Sequence, residues 1–152
     1  MKQKDTINLE ELVPKEHKYR RIKQVWDANA LENLLKKFKS SGPYKGYGIQ
    51  RLFLCLLVQA MEDLSDRELA IYLQENIAVK WFCGFNLKEK TPDYSVFSKV
   101  RRKLGTKLLS DILQEIKDHL KQQGHKSRFV AYLDTAYLTE NAKLRPKKAM
   151  NF

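Results

Sequence analysis

The chain has 152 residues, 43% hydrophobic and 31% charged, with only six Gly and four Pro, which suits one globular domain with its own core and excludes fibrous and low-complexity classes. Lys and Arg number 29 against 18 Asp and Glu, a formal charge of +11, and such a field favours a polyanionic partner, nucleic acid before an anionic membrane surface. The opening MKQKDTINLE lacks the apolar centre of a signal peptide, and LFLCLLV over Leu52–Val58 is far shorter than the ~18 residues a membrane span requires, so a cytoplasmic protein with no membrane partner is expected.

Residues 1–15 read as an extended segment, because Pro14 disfavours helix at Val13. From Glu16 to Asp27, Tyr19, Ile22 and Trp26 stand at helical spacing. Asn29–Lys39 predicts a second amphipathic helix with a stripe of Leu31, Leu34, Leu35 and Phe38. The loop SSGPYKGYG, Ser41–Gly48, breaks the pattern through its Gly and Pro content. Ile49–Asp63 is apolar nearly all round and suits a central helix packed on several sides. In LSDREL, Ser65 and Glu68 have capping-box spacing, and the helix they open runs to about Gln74 and presents Leu69, Ile71 and Tyr72. NIAVKWFCG predicts a short helix stopped by Gly84. After the loop NLKEKTPD, a helix over Tyr94–Leu104 ends at Gly105. The longest amphipathic helix spans Thr106–Gln123, with Leu109, Ile112, Leu113, Ile116 and Leu120 as its stripe and Gly124 as its stop. Only RFVAYL, Arg128–Leu133, has the β-branched and aromatic character of a strand. A lone strand cannot satisfy its own backbone. The remainder is polar and basic with no period, and reads as a tail.

Cys55 lies in an apolar run and Cys83 follows two aromatics without CxxC spacing, so both are expected as buried free thiols. His17, His119 and His125 are scattered and form no local ligand set.

The segment with the clearest chemistry is PDYSVFSKVRRKLG, Pro92–Gly105. On a helix, Val96, Phe97, Val100 and Leu104 share one side and would anchor it on a core. Ser95, Ser98, Lys99 and Arg102 share the other, flanked by Arg101 and Lys103. Small hydroxyls near the N-terminus and long cations beyond are what a major-groove helix uses against base edges and phosphates. Lys99, Arg101 and Arg102 are expected to be exposed, with Arg67 and Lys80 as further phosphate contacts from the preceding helices. The plain alternative is a solvated basic face. A single-stranded RNA partner is the weaker nucleic-acid reading, since most of the Phe and Tyr residues fall at core positions.

Asp134 ends the strand-like run, where an Asp commonly serves as a turn or cap residue. Two-metal phosphoryl-transfer sites need several acids, and beyond Asp134 the chain offers only Glu140.

Several separated motifs stand in one order: LVPKEH with Arg20, LSDREL, ENIAVKWFCGF, TPDYSVFSKVRRKLG and LDTAYL. Together they resemble the N-terminal part of bacterial insertion-sequence transposases with the InsH-type N-terminal domain, from about Leu12 to Leu144. The resemblance implies a helical, helix-turn-helix-like domain over 16–124 that binds the terminal repeats of the element. It also implies that residues 125–152 hold the first strand of an RNase H-like domain and a basic tail. Asp134 then matches the first acid of an Asp-Asp-Glu triad that holds Mg2+ in the complete enzyme.

ENAKLRPKKAMNF departs from that pattern, and the second Asp and the Glu are missing. The expectation is therefore a mainly α, truncated transposase fragment, catalytically incomplete and without cofactor. Its partner is duplex DNA, with a full-length transposase or a second copy of itself as further partners. Two alternatives stand beside it: one half of a split or frameshifted active transposase, and a non-DNA module dimerising through 106–123.

Overall fold

The computed structural model describes residues 7–29, 31–36 and 46–124, and every regular element among them is helical. In chain order these are α1 (Leu9–Leu12), α2 (Lys18–Ala28), a 3-10 turn (Leu31–Leu35), α3 (Ile49–Glu62), α4 (Asp66–Glu75), α5 (Ile77–Cys83), α6 (Tyr94–Leu104) and α7 (Thr106–Gln122). The strand expected at 128–133, Asp134 and the tail lie outside the described residues.

The centre is α3, whose residues from Leu52 to Gln59 are all buried, with Met61. It touches the 3-10 turn, α4, α5 and α6, so its all-round apolar pattern is used on every side. Phe53 stacks on Trp26 of α2 with ring centroids 5.6 Å apart, and Tyr19 of α2 stacks on Phe82 of α5 at 5.3 Å. Each such buried side chain contributes roughly 1.5–3 kcal/mol through removal from water. The α7 stripe of Leu109, Ile112, Leu113, Ile116 and Leu120 is buried against α2 and α6 of the same chain. That stripe is consumed inside the fold, which removes the apolar face on which dimerisation through 106–123 would rest.

Local signals set the helix ends. Ser65 Oγ accepts from the Glu68 amide at 3.1 Å, and the Glu68 carboxylate accepts from the Ser65 amide at 3.0 Å, a complete capping box. Gly84 stops α5 in the left-handed region at φ +87°, where a Cβ would be strained.

Three expectations differ. Over Leu9–Leu12 the chain is helical rather than extended: Asn8 Oδ1 caps it, and its packing on α5 ties the segment to the body. Of the stripe predicted on 29–39, Leu31 and Leu35 are buried while Leu34 is 44% exposed, because a five-residue 3-10 turn offers the core less than an amphipathic helix would. Phe38 lies outside the described residues. On α4, Ile71 is 54% exposed and Leu73 takes the buried place with Leu69.

Candidate nucleic-acid interface

Helix α6 begins where Asp93 Oδ1 accepts from the Ser95 amide at 2.9 Å, and ends at Gly105, φ +82°. Val96, Phe97, Val100 and Leu104 are buried, and the helix packs against α3, α4 and α7. The anchored side is therefore the one the spacing predicted. On the opposite side Lys99, Arg102 and Lys103 are exposed and form no ion pair with any described acid. Within α6 itself no residue is acidic. The last-turn cations, Arg101 to Lys103, complement the negative end of the helix dipole, whereas Lys99 sits mid-helix, where that effect has faded.

Arg101 is not exposed as expected. Its Nη1 and Nη2 donate to the two carboxylate oxygens of Asp66 at 2.6 and 2.8 Å, and Nη1 also donates to Gln59 Oε1 at 2.9 Å. Gln59 in turn donates to Asp66 Oδ1 at 2.7 Å. Arg and Asp side chains retain only 27% and 24% of their exposure. At the border between the α6 faces, a guanidinium that reaches an acid on α4 becomes a strut between helices. The motifs LSDREL and TPDYSVFSKVRRKLG thus meet through Asp66 and Arg101.

Lys80 is also misplaced by the sequence reading: it is 5% exposed on the inner side of α5, which excludes it as a phosphate contact. The two serines stand half-buried, and their hydroxyl protons are engaged locally. Ser95 Oγ donates to Asp93 Oδ1, and Ser98 Oγ donates to the Ser95 carbonyl at 3.2 Å. Their protons serve the start of α6 rather than a phosphate. Arg67 is exposed, as expected, and its guanidinium lies 4.1 Å from the centroid of the Tyr94 ring. Tyr94 itself keeps 45% of its surface.

Sequence reasoning missed two arginine staples. Arg20 donates to the carbonyls of Pro14, Glu10 and Val13, pairs with the Glu10 carboxylate and stacks over Trp81 at 4.6 Å. This gives the LVPKEH motif and its Arg20 a structural purpose: they fasten α1 to α5. Arg51 donates to the carbonyls of Tyr47 and Gly84 and to both oxygens of Glu89, and lies over Phe85 at 4.2 Å. That guanidinium holds the Glu89 carboxyl below the usual carboxylate range. No local pattern announces either staple, since the acceptors are mostly carbonyls of other elements.

Cys55 and Cys83 are free and buried, and burial pushes the Cys83 thiol up. Among the described residues no group of three His, Cys, Asp or Glu side chains could hold a metal, and no helix is long and apolar enough to cross a membrane. The described side chains therefore do not fit a two-metal centre, and Asp134 lies outside them.

The described residues define a class by structure: a mainly helical domain in which α6, a helix without acidic residues, turns a cationic face to solvent. The particular assignment comes from the sequence. Residues 7–103 match the family described as Transposase domain (DUF772), and the chain belongs to it. No curated protein and no solved structure matches.

Proposed function

We propose that this transposase-family chain holds duplex DNA at the ends of a mobile element, with the outward face of α6 as its grip. The observation that carries this reading is the trio Lys99, Arg102 and Lys103. All three are exposed, none is paired with a described acid, and they stand on a helix whose other side is locked into the core. Cations in that state are available to displace counterions from phosphates, which supplies most sequence-independent affinity. Family membership supports a transposition-related function, and a helix-turn-helix-like docking of α6 in the major groove is the geometry to which its shape is suited.

The test is the triple charge reversal K99E/R102E/K103E, measured by fluorescence anisotropy on a short duplex. Affinity is expected to fall about a hundredfold or more, with the helical circular dichroism retained and the melting temperature lowered only by the few degrees that two acids in the last turn of α6 cost through the helix dipole. Retention of affinity within about twofold overturns the reading. Arg101 is left intact, since reversing it would break the strut to Asp66.

Strand cleavage is a separate matter. By resemblance, Asp134 is the first of three acids that hold Mg2+ in transposases of this kind. Gripping DNA through α6 needs no metal, so Asp134→Asn is expected to leave affinity in chelator-containing buffer unchanged.

A further inference from the structure

Arg101, Arg102 and Lys103 on α6 each have an explanation within the fold, the Asp66 strut or the helix dipole, and Arg67 has neither. Arg102 and Lys103 occupy a last turn, where the helix dipole favours them. Arg67 occupies the first turn of α4, where the same dipole opposes a cation by roughly 0.3–1 kcal/mol. Its neighbours Asp66 and Glu68 are the acids that turn calls for. Arg67 instead leans across to the next motif and lies on the Tyr94 ring, 4.1 Å from its centroid. An exposed cation–π contact of this kind is worth about 0.5–1 kcal/mol, enough to offset the dipole and little more. Helix stability therefore gives no reason for a cation there.

The pair has two properties that a binding surface uses. Tyr94 is the largest exposed aromatic on α6, 45% open, at the first position of the helix. The ring also restricts Arg67, so that a planar fork of five donors is held in place before any ligand arrives. Tyr94, Ser98 and Arg102 follow one another at i, i+4 and i+8, a single row on the helix surface. Eight residues of helix span about 12 Å, comparable to the width of about 12 Å of the B-form major groove. A row with a fixed guanidinium at one end and phosphate-seeking cations at the other matches a groove entered N-terminus first. The guanidinium reaches base edges while Lys99, Arg102 and Lys103 hold the backbone.

We infer that Arg67, oriented by Tyr94, is the sequence-reading residue of this surface. Its guanidinium donates in bidentate fashion to O6 and N7 of a guanine in duplex DNA, and it is a specificity contact rather than one more phosphate contact. This rests on the proposal that α6 grips duplex DNA, and it adds to that proposal which residue reads and which base type is read.

The experiment selects from a pool of randomised duplexes with the wild-type chain, then compares R67K, Y94F and Y94A on the enriched duplex and on poly(dA-dT), which lacks the O6 and N7 acceptor pair. The expected result is an enriched site containing a required guanine. R67K keeps the charge but loses the planar fork, and should lower the ratio of specific to non-specific binding at least tenfold. Affinity for poly(dA-dT) and its salt slope should stay unchanged. Y94A should behave like R67K, and Y94F, which keeps the ring, like wild type.

Four outcomes overturn the inference. The wild type binds duplexes with salt dependence but enriches no sequence. R67K keeps the wild-type preference. Alternatively, removing the charge with R67M lowers affinity equally on every duplex and reduces the salt slope by about 0.9, which makes Arg67 a phosphate contact. Finally, single-stranded DNA or RNA outcompetes duplex and Y94A abolishes that advantage, which makes Tyr94 a stacking platform for unpaired bases. Failure of the DNA-binding proposal itself looks different: no salt-dependent duplex binding by the wild type at all.

Discussion

Residues of one chemical type serve opposite purposes here, and position relative to the core separates them. Arg20, Arg51 and Arg101 are struts whose guanidinium groups donate to carbonyls and carboxylates of other segments. Lys99, Arg102 and Lys103 hold nothing within the described residues. Arg101→Met should leave Asp66 short of both guanidinium bonds and cost about 1–2 kcal/mol, allowing for the water that still reaches the pair. Lys99→Met should change stability by less than about 0.5 kcal/mol. Urea unfolding of the two variants checks the contrast. His17 gives a pH-dependent case. Its Nδ1 accepts from the Tyr19 amide at 3.1 Å and caps α2. Burial, with Lys18 beside it, holds its imidazole below the ordinary 6.5. The folded chain thus binds fewer protons there than the unfolded one. This contribution is full above pH 6.5 and is lost as pH falls from 6.5 through the lower folded value. Its size should be about 1 kcal/mol, the worth of an N-cap. His17→Asn retains an acceptor without the titration, so its urea midpoint should vary less between pH 7.5 and pH 5 than that of the wild type.

At the scale of elements, signals confined to a few neighbouring residues read true. The Ser65/Glu68 box, the Gly84 stop and the Gly105 boundary all stand where spacing put them, because each depends only on backbone groups within one turn. Ser65→Ala should cost about 1 kcal/mol by freeing the Glu68 amide from its cap, seen as a lower melting temperature without loss of helix elsewhere. Elements whose face is decided by neighbours read less well. Leu34 and Ile71 satisfy a helical stripe in sequence, yet the 3-10 turn and α4 leave them in water. A hydrophobic period identifies candidates for burial, but the facing helix determines how wide a stripe it covers.

For the molecule as a whole, the distribution of charge matters more than its total. If three α6 cations contact phosphates, raising salt from 50 to 200 mM should weaken duplex binding about 40-fold. The melting temperature should move little, because the core is an apolar cluster from α2 to α7. A titration of affinity against salt, run beside thermal unfolding, measures both. The amino-acid sequence by itself determined the helical class, most helix boundaries, the buried face of α6 and membership of a transposase-domain family. Those follow from period, caps and ordered motifs, which are local properties of the chain. Only the tertiary structure decided that Arg101 is a strut, that Lys80 is buried, that α1 is fastened by Arg20 and that Arg67 rests on Tyr94. Each of those depends on what a long side chain meets across a helix boundary, and a flexible cation can reach several partners that spacing along the chain does not distinguish.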